Sequence, residues 1–332
     1  SEGDFSAEDL IPDNDVVVTI TRGGYSKRTT ADLYKSQRRG GRGVKGAALK
    51  QDDVVDHFFV ASTHHWLLFF TNQGRVYRAK VHELPDAGRD ARGQHVANLM
   101  AFKPDEQIAQ VLSFKDYNAA PFLVLATKGG LVKKTPLAEY DSPRTGGLIA
   151  ISLKPSDEVV SASLVRNGDE LLLVSKKAMS LRFTTDDESL RPMGRSTSGV
   201  IGMKFRDGDE LLTMARVDSQ SSQGAFVFTA TDGGYGKKTP IDEYRLQGRG
   251  GIGIKAAKID EDSRGTLVSA LVLEDADEIL AITSAGTVMR TPAAEVRQTG
   301  RDSMGVRLVN LDEGATLLSV TRNSEDEIST QK

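Results

Sequence analysis

One seven-residue stretch of the chain combines three arginines with three glycines. It reads Gln37-Arg38-Arg39-Gly40-Gly41-Arg42-Gly43, and Lys45 follows it closely; we call residues 37–43 the arginine–glycine box. A guanidinium presents a planar fork of N–H donors that matches a phosphate, and glycine lets backbone amides approach the same anion. The box therefore predicts a phosphate-binding loop. A solvated basic loop is the alternative interpretation of the same composition.

A second basic feature recurs six times along the chain. In each case a lysine or arginine follows a tight turn by four residues, and together these residues form what we call the basic column: Arg28, Arg78, Lys134, Arg182, Lys238 and Arg290. Residues two and four positions after a turn share one face of a β-strand. If the repeats close into a ring, we expect the column to form a basic belt that neutralises phosphates along a curved path. Six unrelated, solvated strand positions are the alternative.

Signals for catalysis or metal binding are weak. The five histidines lie in the first two repeats and lack the His-Glu-x-x-His spacing. Asp-Glu pairs recur at one point of the repeat, which favours turn residues over a single catalytic dyad; they occupy residues 105–106, 157–158, 209–210 and 312–313. The Gly-x-Gly-x-x-Gly matches that begin at Gly41 and Gly248 precede β-strands, whereas a dinucleotide site needs a helix there. We expect no catalytic residue, no metal and no cofactor.

The elements that must position these residues form a sixfold repeat. Six short apolar runs each end in a small polar residue and are predicted to be buried strands: Val16–Thr21, Trp66–Thr71, Phe122–Thr127, Leu171–Ser175, Phe226–Thr231 and Ile279–Thr283. A tight turn with glycine follows every run except the fourth, where Ala178 stands. A second glycine follows in each repeat, at Gly43, Gly93, Gly147, Gly199, Gly251 and Gly305.

Two further strands complete each repeat. The third starts just after the second glycine, as in Val44–Leu49, Leu148–Leu153, Val200–Phe205 and Val306–Leu311, and the fourth closes the unit. Short acidic and apolar segments such as Pro136–Tyr140 precede the third strand and predict a helical turn. Six units of four strands predict an all-β, six-bladed, propeller-like disc, because radial closure protects the sheet edges. The missing Trp-Asp pairs disfavour a WD40 propeller.

The net charge of −3, from 43 Lys and Arg against 46 Asp and Glu, hides a basic body. Residues 1–15 hold six acidic residues and no basic one, and residues 323–332 carry a net −2, which leaves +5 on residues 16–322. We therefore divide the chain into an acidic N-terminal linker, a six-bladed domain and an acidic tail. The two ends are interpreted as solvated segments, or as segments that compete with DNA for the basic surface.

The box and the sixfold repeat together resemble a known family. Gln37 to Gly43 is similar to the signature box in the C-terminal domain of bacterial DNA gyrase A, and the resemblance covers residues 16–322. It implies a β-pinwheel, in which neighbouring blades exchange a strand. It also implies that duplex DNA wraps around the rim with positive handedness, that residues 37–43 are needed for wrapping, and that wrapping enables negative supercoiling. Topoisomerase IV, which has a related domain, lacks an intact box.

The same resemblance implies a non-catalytic domain of a type IIA topoisomerase, because the family's cleavage tyrosine and ATPase site lie elsewhere. Its implied partners are duplex DNA, the N-terminal breakage–rejoining domain of the same polypeptide and gyrase B, with no membrane, in the cytoplasm and at the nucleoid. The absence of cysteine is compatible with a reducing cytoplasm. The sequence contains no run of about 18 apolar residues, so we predict no membrane-spanning helix. Alternatives are a protein-interaction propeller whose belt meets acidic partners, and the related domain of topoisomerase IV.

Overall fold

The computed structural model describes residues 7–31, 44–45, 55–144, 146–220 and 224–323. Almost all regular structure in these ranges is β-sheet. In chain order the described strands are β1 (Asp15–Thr21), β2 (Tyr25–Thr30), β3 (Val44–Lys45), β4 (Val55–Ser62), β5 (Trp66–Thr71), β6 (Arg75–Lys80), β7 (Gln94–His95), β8 (Ile108–Phe114), β9 (Phe122–Thr127), β10 (Leu131–Pro136), β11 (Leu148–Ile149), β12 (Val159–Val165), β13 (Glu170–Ser175), β14 (Met179–Thr184), β15 (Val200–Ile201), β16 (Leu211–Val217), β17 (Phe226–Thr231), β18 (Tyr235–Pro240), β19 (Ile254–Lys255), β20 (Leu267–Leu273), β21 (Glu278–Thr283), β22 (Thr287–Pro292), β23 (Val306–Arg307) and β24 (Leu317–Arg322).

Helical structure in the described ranges consists of single turns. The 3-10 turns are Ala7–Leu10, Val81–Glu83, Val96–Asn98, Leu137–Tyr140, Ile241–Glu243 and Ala293–Glu295, and one α-helical turn spans Glu261–Arg264. Three of the 3-10 turns, at Leu137, Ile241 and Ala293, begin directly after a strand that ends in proline. The predicted helical turn at Pro136–Tyr140 is therefore confirmed as Leu137–Tyr140.

The strands form six antiparallel blades, and each blade borrows its outermost strand from the next repeat. From the centre outward the blades are β4-β1-β2-β7, β8-β5-β6-β11, β12-β9-β10-β15, β16-β13-β14-β19, β20-β17-β18-β23 and β24-β21-β22-β3. Strands β8, β12, β16, β20 and β24 pack against one another in succession, which places this strand type at the centre. The prediction of six four-stranded blades is confirmed, and so is the strand exchange implied by the resemblance.

The exchange also closes the ring. Strand β3, which comes from the first repeat, pairs with β22 of the last blade through Val44 opposite Val288 and Lys45 opposite Thr287. A hydrophobic core lies in the same joint, where Val17 and Phe58 of the first blade pack with Ile282 and Val288 of the last. Similar cores fill the other five joints. Because a blade buries both of its faces between neighbours, the closed ring has six inter-blade cores.

The small polar residue that ends each apolar run explains how the turns are held. The hydroxyl of Thr127 accepts the backbone amide of Leu131 at 3.1 Å, and Ser175 accepts that of Met179 at 3.0 Å. The pairing register to the central strand shifts at this position in the blades, for instance between Val174 and Ser175. In the fourth repeat Ala178 adopts the left-handed conformation at φ 64°, which glycine adopts in the other turns. The terminal hydroxyl thus ties the start of the second hairpin strand to the end of the first.

Three sequence expectations are refined. The acidic pairs are turn residues, since Asp157 and Asp209 accept turn amides of the strand hairpin beside them at 2.8 and 3.0 Å. The outer strands are only two residues long instead of the expected six. In the fifth repeat the second glycine is Gly253, at φ +82°, and not Gly251: a Cβ on Gly253 would stand 2.1 Å from the carbonyl oxygen of Ser180.

Candidate nucleic-acid interface

The arginine–glycine box lies outside the described residues, as does the side chain of Lys45. The box comprises Gln37, Arg38, Arg39, Gly40, Gly41, Arg42 and Gly43. It directly precedes β3, the strand that closes the ring between the first repeat and the last blade. The sequence order therefore connects the box to the one joint where the two ends of the repeat array meet.

The basic column does not form an outward-facing belt, and that expectation is corrected. Side-chain exposure is only 2% for Lys134 and 5% for Lys238, and 31% for Arg290, the most exposed member. Ammonium groups at 2–5% exposure cannot reach phosphates without the blades separating. The column occupies one face of its strands, as predicted, but that face looks into the joint with the next blade.

Five of the six column side chains reach into the next repeat, and the sixth, Arg290, pairs with Glu278 of its own blade. Lys134 bonds the carbonyl oxygen of Thr185 at 2.6 Å and the carboxylate of Asp187 at 2.8 Å, both in the next repeat. Arg28 donates to the Leu84 carbonyl at 2.9 Å, and Lys238 donates to the Ala293 carbonyl at 3.2 Å. These contacts are structural links between neighbouring blades.

The residue twelve positions earlier, on the adjacent strand, completes the environment of most column cations. Arg78 lies 4.2 Å from the ring centre of Trp66 and pairs with Asp141 at 2.8 Å. Where the ring is replaced by a carboxylate, the column forms ion pairs, Arg182 with Glu170 at 2.7 Å and Arg290 with Glu278 at 2.5 Å. Although burial raises the pKa of Glu278, hydrogen bonds from Arg290 and Asn323 outweigh that effect and lower it below the usual value.

A different arginine series lies on the rim, and the sequence reasoning missed it. Arg195, Arg249 and Arg301, which we call the rim arginines, each stand four residues before the second glycine of their repeat, now Gly199, Gly253 and Gly305. In sequence, Arg39 of the box holds the same position relative to Gly43, and Arg89 relative to Gly93. The third repeat has Pro143 there, followed by Arg144.

The rim arginines make one repeated contact. Each guanidinium donates to a carbonyl oxygen on the outer strand of a neighbouring blade, Arg195 to Ile149 at 2.5 Å, Arg249 to Ile201 at 2.7 Å and Arg301 to Lys255 at 2.6 Å. A guanidinium has five N–H donors, so this contact leaves further donors for an anion. The series therefore provides one fixed, half-buried cation beside each of three successive outer strands.

Exposed cations accompany the rim arginines in the last three repeats. The outer strands β19 and β23 expose Lys255 and Arg307, while Ile149 and Ile201 hold that position on β11 and β15. The segments leading to the rim arginines expose Arg191, Arg245 and Arg297. The same segments also expose acidic residues, among them Glu243, Glu295 and Asp302, so the cations stand as individual arginine and lysine side chains along the rim.

The described residues offer little for catalysis. No group of three or more His, Asp or Glu side chains within them is arranged to hold a metal ion. Tyr140 and Tyr244 are buried and donate to the carbonyl oxygens of Ala150 and Ala256, and burial raises the pKa of both hydroxyls. No helix in the described ranges is both long and apolar enough to cross a membrane.

A closed ring of six strand-exchanging, four-stranded blades defines the class of six-bladed, propeller-like β-pinwheel domains. The sequence profile of the family described as "DNA gyrase C-terminal domain, beta-propeller" matches residues 15–62, 65–115, 121–166, 169–218, 225–274 and 277–324, one match per blade. The chain belongs to this family, as the resemblance of the box predicted.

Relatives and solved structures agree with this assignment. The DNA gyrase A protein of Streptomyces coelicolor is 65% identical over 329 residues, and that of Mycobacterium tuberculosis is 56% identical over 326 residues. Each match covers 98% of this chain but 38% of the relative, so the chain spans less than half the length of these proteins. A gyrase A C-terminal domain structure aligns with a TM-score of 0.81 at 27% identity, over 93% of this chain and all of that one. The C-terminal domain of a topoisomerase IV aligns with a TM-score of 0.72 at 28% identity, over 94% of both chains.

Proposed function

We propose that this chain binds duplex DNA without sequence specificity along its rim, and that the arginine–glycine box anchors the DNA where the ring closes. The observation that carries the proposal is the recurrence of one arginine position around the disc. Arg195, Arg249 and Arg301 lie beside successive outer strands, and Arg39 of the box occupies the same repeat position. A series of equivalent cations on a curved edge suits a polyanion whose charges also repeat.

DNA that follows the rim has to bend. Smooth bending by about 40–90° over about 20–30 base pairs costs roughly 1–6 kcal/mol, which counterion release at the cationic contacts must offset. Binding by backbone contacts together with deformation, without base readout, has a precedent in the histone octamer. The buried basic column has no direct part in this proposal: it holds the blades together, so the rim arginines, the box and Lys45 carry the contact.

The wider activity rests on the family resemblance. In this proposal the wrap has positive handedness and presents a segment of the same DNA for passage, so that the complete enzyme introduces negative supercoils. The chain itself is non-catalytic. Cleavage and ATP hydrolysis come from the breakage–rejoining domain of the same polypeptide and from gyrase B, and the assembly acts at the nucleoid.

A salt titration of duplex DNA binding tests the proposal against its main rival, a protein-interaction propeller. If about 6–9 phosphates are neutralised, log K falls against log[salt] with a slope on the order of −5 to −8. Random-sequence and defined-sequence duplexes should then give the same affinity within about twofold, since phosphate contacts carry no sequence information. A slope near −1, or no binding, would favour a protein partner and overturn the proposal.

A further inference from the structure

Three lysines of the chain are buried beneath the rim, in alternate blades. Lys27, Lys133 and Lys237 directly precede the column residues of blades one, three and five, and their exposures are 1%, 0% and 2%. Blades two, four and six hold uncharged side chains at this position, namely Tyr77, Leu181 and Met289. A lysine is rarely buried unless something specific holds its charge. The alternation therefore calls for a local reason.

Each of these ammonium groups is held by carbonyl oxygens of the segment that carries a rim arginine or its equivalent. Lys27 Nζ donates to the carbonyls of Gly88, Arg89 and Ala91 at 2.7–2.8 Å, so its three N–H groups are matched by three acceptors. Lys133 Nζ donates to the carbonyls of Ala150 and Arg195.

Lys237 repeats the arrangement of Lys133 in blade five. Its Nζ donates to the carbonyl of Ala256 at 2.7 Å and to that of Arg301. In both places a glutamate completes the support, because Glu139 accepts the backbone amide of Arg195 and Glu243 accepts that of Arg301, each at 3.1 Å. The rim arginine is thus fixed through both of its backbone groups, the N–H by a carboxylate and the C=O by an ammonium.

No carboxylate among the described residues lies within ion-pair distance of these three ammonium groups. The charged groups that surround them act from farther away: Asp90 and Arg89 near Lys27, Glu139 and Arg195 near Lys133, and Glu243, Asp302 and Arg301 near Lys237. In each site one arginine opposes the charge of the lysine and one or two carboxylates favour it. A DNA phosphate on the rim would add a further negative charge that favours it.

We propose that Lys27, Lys133 and Lys237 are positioning residues for DNA binding: in their protonated form they hold the rim segments so that Arg89, Arg195 and Arg301 meet the phosphates. This inference rests on the proposed function, because it assigns a role in that same DNA contact. It also divides the rim into two kinds of segment. The rim segments of repeats two, four and six are held by a lysine ammonium group. The box, in contrast, precedes β3, which pairs with blade six, and Met289 stands at the lysine position of that blade.

The protonation state of these lysines should change within an accessible pH range. Burial lowers the pKa of Lys133 to about 7 and those of Lys27 and Lys237 to about 8. Bound DNA favours the charged form and so raises these pKa values. By linkage, the affinity for DNA then falls as the pH rises from 7 to 9 through this range.

The experiment compares duplex DNA affinity of the full chain at pH 7 and pH 9, at constant ionic strength. The proteins are the wild type, the double variant Lys133→Met/Lys237→Met, and the control Leu181→Met, which places the same side chain at the equivalent site of blade four. If DNA raises each of the three pKa values by about a third of a unit, wild-type and control affinities fall about fivefold between pH 7 and pH 9, because Lys133 is already partly deprotonated at pH 7. The double variant, which retains only Lys27, should lose about twofold.

Each result has a distinct meaning. A double variant that binds more weakly at both pH values but keeps the fivefold fall would show that the lysines act on the fold alone, and would overturn the inference. A wild-type affinity that does not change between pH 7 and 9 would overturn it as well, and this measurement stands even if the double variant does not fold. If the wild type binds no duplex DNA at any pH, the proposed function itself fails.

Discussion

We expect substitutions of the rim arginines and of the basic column to have different effects, the first on DNA binding and the second on stability. The first perturbation is the triple variant Arg195→Gln/Arg249→Gln/Arg301→Gln, which removes the charge of the rim arginines but keeps a hydrogen-bond donor near the outer strands. The second is the double variant Lys134→Met/Lys238→Met, which removes two column charges at 2% and 5% exposure. The first should weaken DNA binding and the second should weaken the fold.

The expected magnitudes follow from the contacts. Each phosphate contact that is lost reduces the slope of log K against log[salt] by about 0.9, so the slope of the triple variant is smaller by about 2.7. Between about 50 and 200 mM salt the wild-type affinity should therefore fall by a factor roughly 40 times larger than that of the variant. Its free energy of unfolding should change by less than about 1 kcal/mol, because the carbonyl partners are at the surface. The column variant leaves the carbonyl of Thr185 unpaired, at about 1–3 kcal/mol, with an unchanged salt slope. The carbonyl of Ala293 loses Lys238 but still accepts the backbone amide of Val296, so its cost is smaller.

The assays are fluorescence anisotropy with a labelled duplex across a salt series, and urea denaturation of the same preparations. The reasoning would be refuted by a triple variant whose salt slope equals that of the wild type. It would also be refuted if the column variant kept its stability and lost slope, since that result would return the column to the DNA-facing belt that its sequence spacing suggested.

Three further predictions concern the fold. Because burial lowers the pKa values of these lysines in the folded chain, the unfolded chain binds more protons than the folded chain above pH 7, and the free energy of unfolding should rise between pH 7 and 9. Lys133→Met should make this rise smaller, as measured by denaturation at each pH. Gly93→Ala should destabilise the chain by at least about 2 kcal/mol more than Gly88→Ala, because a Cβ on Gly93 would stand 2.1 Å from the Ser26 carbonyl at φ +82° whereas Gly88 has open space, and equal unfolding midpoints would contradict this. A double-mutant cycle on Glu170 and Arg182, at 17% and 13% exposure, should give a coupling energy of about 1–3 kcal/mol. The more exposed pair Glu278 and Arg290 should give less than about 1 kcal/mol, and the reverse order would contradict the burial argument.

The sequence predicted the fold well because its signals are local and repeated. The apolar runs, such as Phe122–Thr127 and Phe226–Thr231, match strands β9 and β17 residue for residue. Strand exchange is not a local signal: nothing within Leu148–Ile149 indicates that it pairs with Val76 and Arg75 of the preceding blade. That feature came from the family resemblance, not from the pattern of residues.

The prediction that the basic column faces outward was wrong for a physical reason. Period-two spacing shows that Lys134 and Lys238 share a strand face, but in a ring of packed blades both faces are covered by neighbours. One sequence signal could have revealed this, because Phe122 and Phe226 stand on the adjacent strand and place a ring 4.7 and 4.5 Å from the two ammonium groups. A cation opposite an aromatic residue is better explained by an interior contact than by a free surface charge.

The rim arginines were missed because one glycine was misaligned. Taking Gly251 as the second glycine of the fifth repeat puts Gln247 at the position four residues earlier, which interrupts the series. With Gly253 in that place, the position is Arg249, in register with Arg195 and Arg301. The positive φ of Gly253 and its close approach to Ser180 settle the alignment, and both are backbone properties that residue types alone do not give.

Ligation of nicked DNA circles in the presence of this chain tests the central claim most directly, since the linking number of the sealed circles reports both binding and the handedness of the wrap. The wild type should shift the circles to positive linking-number differences. Arg38→Ala/Arg39→Ala/Arg42→Ala should abolish the shift while some binding remains. The matched control Lys103→Ala/Lys115→Ala/Lys154→Ala, which removes three exposed lysines that adjoin the central strands, should keep it. Wild-type circles without a positive shift at saturating protein, or an undiminished shift in the box variant, would contradict the account.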